Sequence, residues 1–375
     1  MILTEEQTML QDAARRFVTE KVRPYSADWE KRGEIPRDII DELGALGFLS
    51  MTIPEQFGGT DLDFVSYALS LIEIASGDGA LSTLISVHNS PSASTIVKAG
   101  NSEQQEKFLP RMASGEWIGA FGLTEPQAGS DASNLKTRAV KNGSSYIING
   151  SKQFITSGRI GSLMIVFAVT DPAAGSRGIS AFIVPTDTPG YQVTRIEEKL
   201  GQNASDTCLI NFEDMEIAEE NRIGEEGEGY KLALANLETG RIGIAAQCVG
   251  MAQHALDYAV DYAKEREAFK QPIYDFQAVQ FRLSDMATKL EASRQLTLHA
   301  ASMKDAGQAC LKEACMAKLF ASEIAEEVCS ASIQTLGGYG YLKDFPVEKT
   351  YRDVRVCQIY EGTSDIQKLI IGRNL

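Results

Sequence analysis

The hydrophobic rhythm of this chain changes twice along its length, and that change restricts the fold more than any other feature. Up to about residue 113 the apolar positions recur at helical spacing. Thr4-Glu5-Glu6-Gln7 reads as a capping box leading into Leu10, Ala13, Ala14, Phe17 and Val18, with Pro24 beyond the end. Pro36 opens a second predicted helix carrying Ile39, Ile40, Leu43 and Leu46, Gly47 closes it, and Ser102-Glu103-Gln104-Gln105 reads as another capping box. From Trp117 to Phe212 the runs are short and rich in β-branched and aromatic residues. They predict strands over 137–140, 146–149, 153–156, 163–169, 179–184, 191–196 and 208–212, separated by Asn142-Gly143, Asn149-Gly150 and a turn bearing Pro172. After the glycine-rich link 224–229, helical spacing returns in three proline-free segments, roughly 230–265, 275–305 and 308–336. The fold class implied is mainly α with a central antiparallel β-domain: helical domain 1–116, β-domain 117–225, helical bundle 226–375.

Composition excludes several functions. The 36 basic residues against 51 acidic ones give a net charge of −15, which repels phosphate backbones and argues against nucleic acid as a partner. An anionic ligand must therefore be held by a few local Arg side chains and backbone amides. The longest apolar run, Leu163 to Val169, is far short of the roughly 20 residues of a membrane span, and the first residues do not read as an export signal. A cytoplasmic protein is expected, with a processed organelle-matrix form left open. The 6 cysteines form no C-x-x-C pair and the 3 histidines lie far apart, so zinc, other metals and a disulfide framework lack support.

Nucleotide fingerprints such as G-x-G-x-x-G and the Walker loop are missing. Two stretches are distinctive. Phe121 to Asp131 is a strand end entering a Gly/Ser/Thr turn whose amides can face a polar ligand. Gln358 to Gln367 ends an apolar stretch and starts a terminal helix. There Thr363 or Ser364 suits the N-cap and Asp365 the first turn, while capping leaves Glu361 unexplained.

Taken with Gln334 to Gly340, these motifs resemble the acyl-CoA dehydrogenase family over essentially the whole chain, most closely its short-chain and short/branched-chain members. The resemblance implies a carboxy-terminal four-helix bundle, non-covalent FAD, and a homotetramer with FAD sites across subunit contacts. It makes Phe121 to Ser130, including Leu123, Thr124, Gly129 and Ser130, the loop along the flavin, and Phe154, Ile155 and Thr156 its second wall. Phe154 stands where relatives often have Trp. Arg266, Phe269, Gln277, Gln334, Leu336, Gly337 and Gly338 match positions holding the FAD pyrophosphate and adenosine of a neighbouring subunit, and Thr363, Ser364 and Asp365 also fall on cofactor positions. Lys270 replaces a frequent glycine.

Removing a proton next to a thioester carbonyl needs a dry base and stabilisation of enolate-like charge. The resemblance assigns the base to Glu361, with Gly362 beside it allowing close approach; in relatives that carry the base on a long helix it precedes the residue matching Arg241, and that position here is Gly240. Ser130, Glu238, Arg241, Gln247 and Gly362 would line the acyl-CoA, although Glu238 and Arg241 also fit a plain i,i+3 ion pair. Gln247 stands where a medium-chain relative has Gly, and fills the pocket floor or bonds within the bundle. The implied activity is α,β-dehydrogenation of a short straight or branched acyl-CoA to the trans-2-enoyl-CoA, in fatty-acid β-oxidation or branched-chain amino-acid catabolism, with electrons passed to electron-transfer flavoprotein. An acyl-CoA oxidase, a medium-chain range and a catalytically silent flavoprotein remain open alternatives.

Overall fold

The structure, a computed structural model describing residues 2–375, follows the predicted order of helices, sheet and helices. Helices α1 (Glu5–Phe17), α2 (Ser26–Arg32), α3 (Arg37–Ala45), α4 (Phe64–Gly77), α5 (Gly79–Val87), α6 (Ser94–Ala99) and α7 (Ser102–Ala113) come first. The capping box at Thr4 and Gln7 forms as expected. The second box lies one residue earlier than the sequence suggests. Asn101 is the extended cap, and its side chain accepts the Gln104 N–H at 2.8 Å, because Ser102 is already helical. Helix α4 is buried on all sides and packs against α8 (Gly229–Glu265) and α9 (Gln277–Asp305) of the second helical region.

Strands β1 (Gly119–Gly122), β2 (Arg138–Asn142), β3 (Ser145–Thr156), β4 (Leu163–Val169), β5 (Ile179–Pro185), β6 (Tyr191–Ile196), β7 (Thr207–Ala218) and β8 (Arg222–Ile223) form one sheet in the order 6-7-3-2-4-5-8, with β1 on β4. Two sequence expectations are corrected here. The sheet is mixed, since β1 and β2 both run parallel to β4. The expected turn at Asn149-Gly150 is instead a bulge inside the single strand β3, where Gly150 has φ +147° and any Cβ would lie 2.5 Å from Thr137 Oγ1. The unbroken apolar run of β4 has a physical reason. Leu163, Ile165, Phe167 and Val169 enter one core and Met164, Val166 and Ala168 the other.

The last region holds α8, the short strands β9 (Glu267–Ala268) and β10 (Gln271–Pro272), α9, α10 (Leu311–Leu336), α11 (Pro346–Val354) and α12 (Ser364–Arg373). Helices α8, α9 and α10 pack on one another as a bundle, with α11 and α12 on α10. All 6 cysteines are buried free thiols. Among the described residues no helix is long and apolar enough to cross a membrane.

A buried charge cluster joins the three regions. Lys349 of α11 donates to Asp353 Oδ2 at 2.6 Å and to Asp78 Oδ2 at 3.0 Å, while the Gln202 backbone N–H, from the loop before β7, donates to Asp353 Oδ1 at 2.5 Å. The two carboxylates hold Lys349 protonated against the cost of burial. Lys349→Met leaves both acids buried without their cation, and should lower unfolding free energy by about 3–5 kcal/mol in urea titrations; a loss below about 1 kcal/mol would contradict this role.

Candidate active site

Glu361 lies on a short loop between a 3₁₀ turn, Arg355–Gln358, and α12. Thr363, not Ser364, is the N-cap of that helix. Glu361 adopts a left-handed backbone (φ +52°), an uncommon state for a non-glycine residue that persists only where its surroundings impose it. Those surroundings are visible on both sides. Behind the loop, Gln367 Nε2 donates to the carbonyls of Glu361 (3.2 Å) and Gly362 (2.8 Å), and Lys318 Nζ donates to the Gly362 carbonyl at 2.8 Å. Ahead of it, the Tyr360 hydroxyl donates to Gln247 Oε1 at 2.8 Å. Gln247 is buried on α8 and its Nε2 donates to the Ser82 carbonyl at 3.4 Å. The Thr83 hydroxyl bridges this pair to Gln202, donating to Gln202 Oε1 at 2.8 Å. The amide of Gln247 is thus bonded within the protein, as one of its two sequence readings proposed.

The carboxylate itself is left free. Glu361 Oε2 is enclosed and has no hydrogen-bond partner. It rests on Gly240, where a Cβ would sit 2.1 Å from Oε2, so this helix position must be bare. Burial pushes the Glu361 pKa up to about 7, opposed by the cations Arg241 and Lys318. Glu238 does not pair with Arg241. It bonds Lys304 of α9 at 3.0 Å, while the buried Arg241 Nε has no partner, which removes the plain ion-pair reading.

The loop from Phe121 to Ser130 and the end of β3 are joined by a buried ion pair that the sequence reading missed. Lys152 Nζ donates to Glu125 Oε1 at 2.7 Å and to the Leu123 carbonyl at 3.1 Å, and Glu125 also accepts the Lys136 N–H at 2.6 Å. Burial lowers the Lys152 pKa to about 8 even beside Glu125. Burial also works to raise that of Glu125, but Lys152 and the backbone donors keep it below the ordinary value. The Gln153 N–H donates to the Thr124 carbonyl at 2.9 Å, tying the loop to β3. Around this joint Phe154 is 63% exposed at φ +59°. Among the described residues the hydroxyls of Thr124, Ser130 and Thr156 take no protein partner, and Ser157 Oγ is buried without one. An exposed aromatic face, with hydroxyls free of protein partners on the same strand end and on the loop joined to it, fits a flat, polar-edged ring such as a flavin.

Arg266, Leu336, Gly337 and Gly338 line a groove of about 420 Å³ with Tyr262, Ile273 and Tyr339, the Arg266 guanidinium lying 5.6 Å from the Tyr339 ring centre. Phe269 is 91% exposed outside that lining, and Gln277 and Gln334 are exposed. Lys270 holds φ +68°, in the left-handed region that glycine adopts most readily. A larger cavity, about 580 Å³ and lined by Arg15, Glu73 and Arg294, contains none of these residues.

Sequence reading also passed over Lys318, Thr83, Gln202 and the Tyr67 hydroxyl. Lys152 and Lys318 were findable: each is a charge at a core-facing position of its strand or helix. The polar partners Thr83 and Gln202 gave no such signal.

Family models described as acyl-CoA dehydrogenase N-terminal, middle and C-terminal domains match residues 4–116, 120–215 and 227–375. An acyl-CoA dehydrogenase of Bacillus subtilis is 47% identical over 375 residues, covering 100% of this chain and 99% of its own. The mitochondrial short-chain specific acyl-CoA dehydrogenase of Bos taurus is 43% identical over 373 residues, covering 100% of this chain and 90% of its own. Butyryl-CoA dehydrogenase from Megasphaera elsdenii superposes with a TM-score of 0.97 at 40% identity, covering 100% of this chain and 99% of its own. A chain solved in a study of the electron transferring flavoprotein of Acidaminococcus fermentans and flavin-based electron bifurcation gives 0.98 at 44%, covering 100% and 98%.

The raised Glu361 pKa carries a stability consequence. The unfolded carboxyl ionises near its ordinary 4.5 and the folded one near 7, so between these values the folded state holds the extra proton and loses stability as pH rises. Glu361→Gln removes that burden. Its melting temperature should exceed that of the wild type by a margin that grows from pH 5 to pH 8; a constant margin would show an ordinary carboxylate.

Proposed function

The chain belongs to the acyl-CoA dehydrogenase family of FAD-dependent oxidoreductases, and from that premise we propose that it oxidises a short straight or branched acyl-CoA to the trans-2-enoyl-CoA with Glu361 as the base. The observation that carries this reading is the unbonded Glu361 carboxylate, its Oε2 enclosed, on a loop fixed from both sides. A base tied by hydrogen bonds would be weakened, and a mobile one would be misplaced. Its pKa near 7 keeps a useful fraction ionised at neutral pH while making it a better proton acceptor than a solvated Glu. Glu361 accepts the α-proton at a carboxylate oxygen, and the Glu361–Gly362 backbone, held by Gln367, lets the thioester approach closely. FAD, when bound, supplies the two-electron oxidant that receives the β-hydride. Phe154, Thr124, Ser130 and Thr156 would hold its ring, and Arg266 with Leu336, Gly337 and Gly338 the diphosphate and adenosine end from a neighbouring subunit of a homotetramer. Phe269, Gln277, Gln334 and the α12 residues Thr363, Ser364 and Asp365 are proposed as further contacts. Electron-transfer flavoprotein is the proposed acceptor and the cytoplasm the proposed location.

Acyl length is argued from α8. Gly240, Gly243 and Gln247 fall on one helix face, with Gly243 capped by the Ser86 and Tyr67 hydroxyls, to which a Cβ would come within 3.0 Å. Gln247, fixed by Tyr360 and Ser82, would stop an acyl chain running along this stripe, and a close-packed wall admits extra methylenes only with strain of about 1–3 kcal/mol. Esters of about four to six carbons should therefore be preferred.

Anaerobic addition of butyryl-CoA should bleach the flavin of the wild type. Glu361→Gln should retain FAD and acyl-CoA binding but slow bleaching by roughly 100-fold or more; near-normal bleaching would sink the assignment of the base. On butyryl-, 2-methylbutyryl- and octanoyl-CoA, Gln247→Gly should shift the rate ratio toward octanoyl-CoA. A wild type already best with octanoyl-CoA would overturn the short-chain reading alone.

A further inference from the structure

Lys318 of α10 is the buried charge for which the reaction as described has no use. It is 0% exposed, among Ala314, Cys315, Ala317, Ala321 and Ser322 of the same buried face. A buried ammonium is costly unless paired and fully bonded, yet among the described residues Lys318 has no carboxylate within ion-pair distance, and its hydrogen bond goes to the Gly362 carbonyl at 2.8 Å. The charged and titratable groups facing it are Cys248 and Arg241 from α8, Cys315 of α10 itself, Cys357 from the turn before the base loop, and Glu361; burial lowers the pKa of Lys318, opposed by the two thiols Cys248 and Cys357 and by Glu361. The groups facing Glu361 are Arg241 from α8, Lys318 from α10 and the Tyr67 hydroxyl from α4. The carboxylate facing this ammonium is therefore the enclosed one with no hydrogen bond of its own.

We propose that Lys318 is a positioning residue for Glu361: its ammonium clamps the carbonyl of the adjoining Gly362 and sets a positive charge beside the carboxylate without bonding to it. Gln367 can clamp the same carbonyl but brings no charge, so the two donors divide the work. A cation bonded to the carboxylate would quench the base, whereas one bonded to the adjoining backbone stabilises the ionised form and leaves both oxygens free for the α-proton. The inference rests on Glu361 being the base.

The test is the pH dependence of anaerobic flavin reduction by butyryl-CoA in the FAD-loaded enzyme. Lys318→Met should move the midpoint to higher pH by roughly one unit or more, because loss of a nearby cation disfavours the carboxylate. Lys318→Arg should stay near the wild-type midpoint. Gln367→Met, which removes the neutral clamp, should slow reduction without moving it. An unmoved midpoint in folded Lys318→Met, or an equal shift in Gln367→Met, would overturn the proposal. Should Lys318→Met fail to retain flavin or fold, the double variant Lys318→Met/Glu361→Gln, freed of the uncompensated carboxylate, should melt higher and recover flavin; no recovery also overturns it. Glu361→Gln separates the two ideas. If that variant reduces flavin normally the base assignment falls, whereas an inactive Glu361→Gln beside an unshifted Lys318→Met removes only the role of Lys318.

Discussion

A carboxylate that must take a proton from carbon has to be dry, unbonded and stationary, and these requirements oppose one another. Hydrogen bonds that would fix its position would also lower its basicity. With Glu361 as the proposed base, the chain meets the conflict by bonding the residues on either side of Glu361 and nothing to its Oε2. Tyr360 is fixed by Gln247, Gly362 by Lys318 and Gln367, and the space under the carboxylate is cleared by Gly240. The left-handed backbone at Glu361 is the visible strain of this arrangement, sustained by the three helices α8, α10 and α12 that converge on the loop.

That convergence explains why the domains are locked together by buried polar groups. Gln202 reaches from the loop before β7 to Thr83 of α5, and through it to Gln247 and Tyr360, while its backbone is held by Asp353 of the Lys349 cluster. Apolar packing alone would tolerate small slides between the three regions, since it is non-directional. Hydrogen bonds and paired charges in a low-dielectric interior tolerate far less. The Glu125–Lys152 pair does the same for the loop that carries Thr124 and the end of β3 that carries Phe154, fixing their backbone while the hydroxyls of Thr124 and Thr156 take no protein partner.

Much was legible without coordinates because it rests on local rules. The helix boundaries near Thr4 and Thr363, the six strands β2 to β7, and the proline-free bundle helices follow from capping chemistry and hydrophobic period, which depend on neighbours a few residues away. The motif around Glu361 pointed to the loop for the same reason: a carboxylate between Tyr360 and Gly362 has no local structural purpose. The bulge at Gly150 and the parallel pairing of β4 were not legible, because they depend on which strand lies alongside.

What the chain by itself determined is therefore the set of elements, the motifs and the type of chemistry; what only the tertiary structure decided is which groups act on that chemistry. Glu238 could face Arg241 along one helix, but packing of α9 gave it Lys304 instead. Nothing in the spacing of Gln247 records that Tyr360, more than a hundred residues later, will bond it and fix its amide. The pKa of Glu361 depends on burial and on two cations from separate helices, one of them 43 positions away in sequence. Propensity and spacing act along the chain, whereas desolvation and Coulomb interaction act through space, and no local pattern records which distant side chains will share a dry cavity.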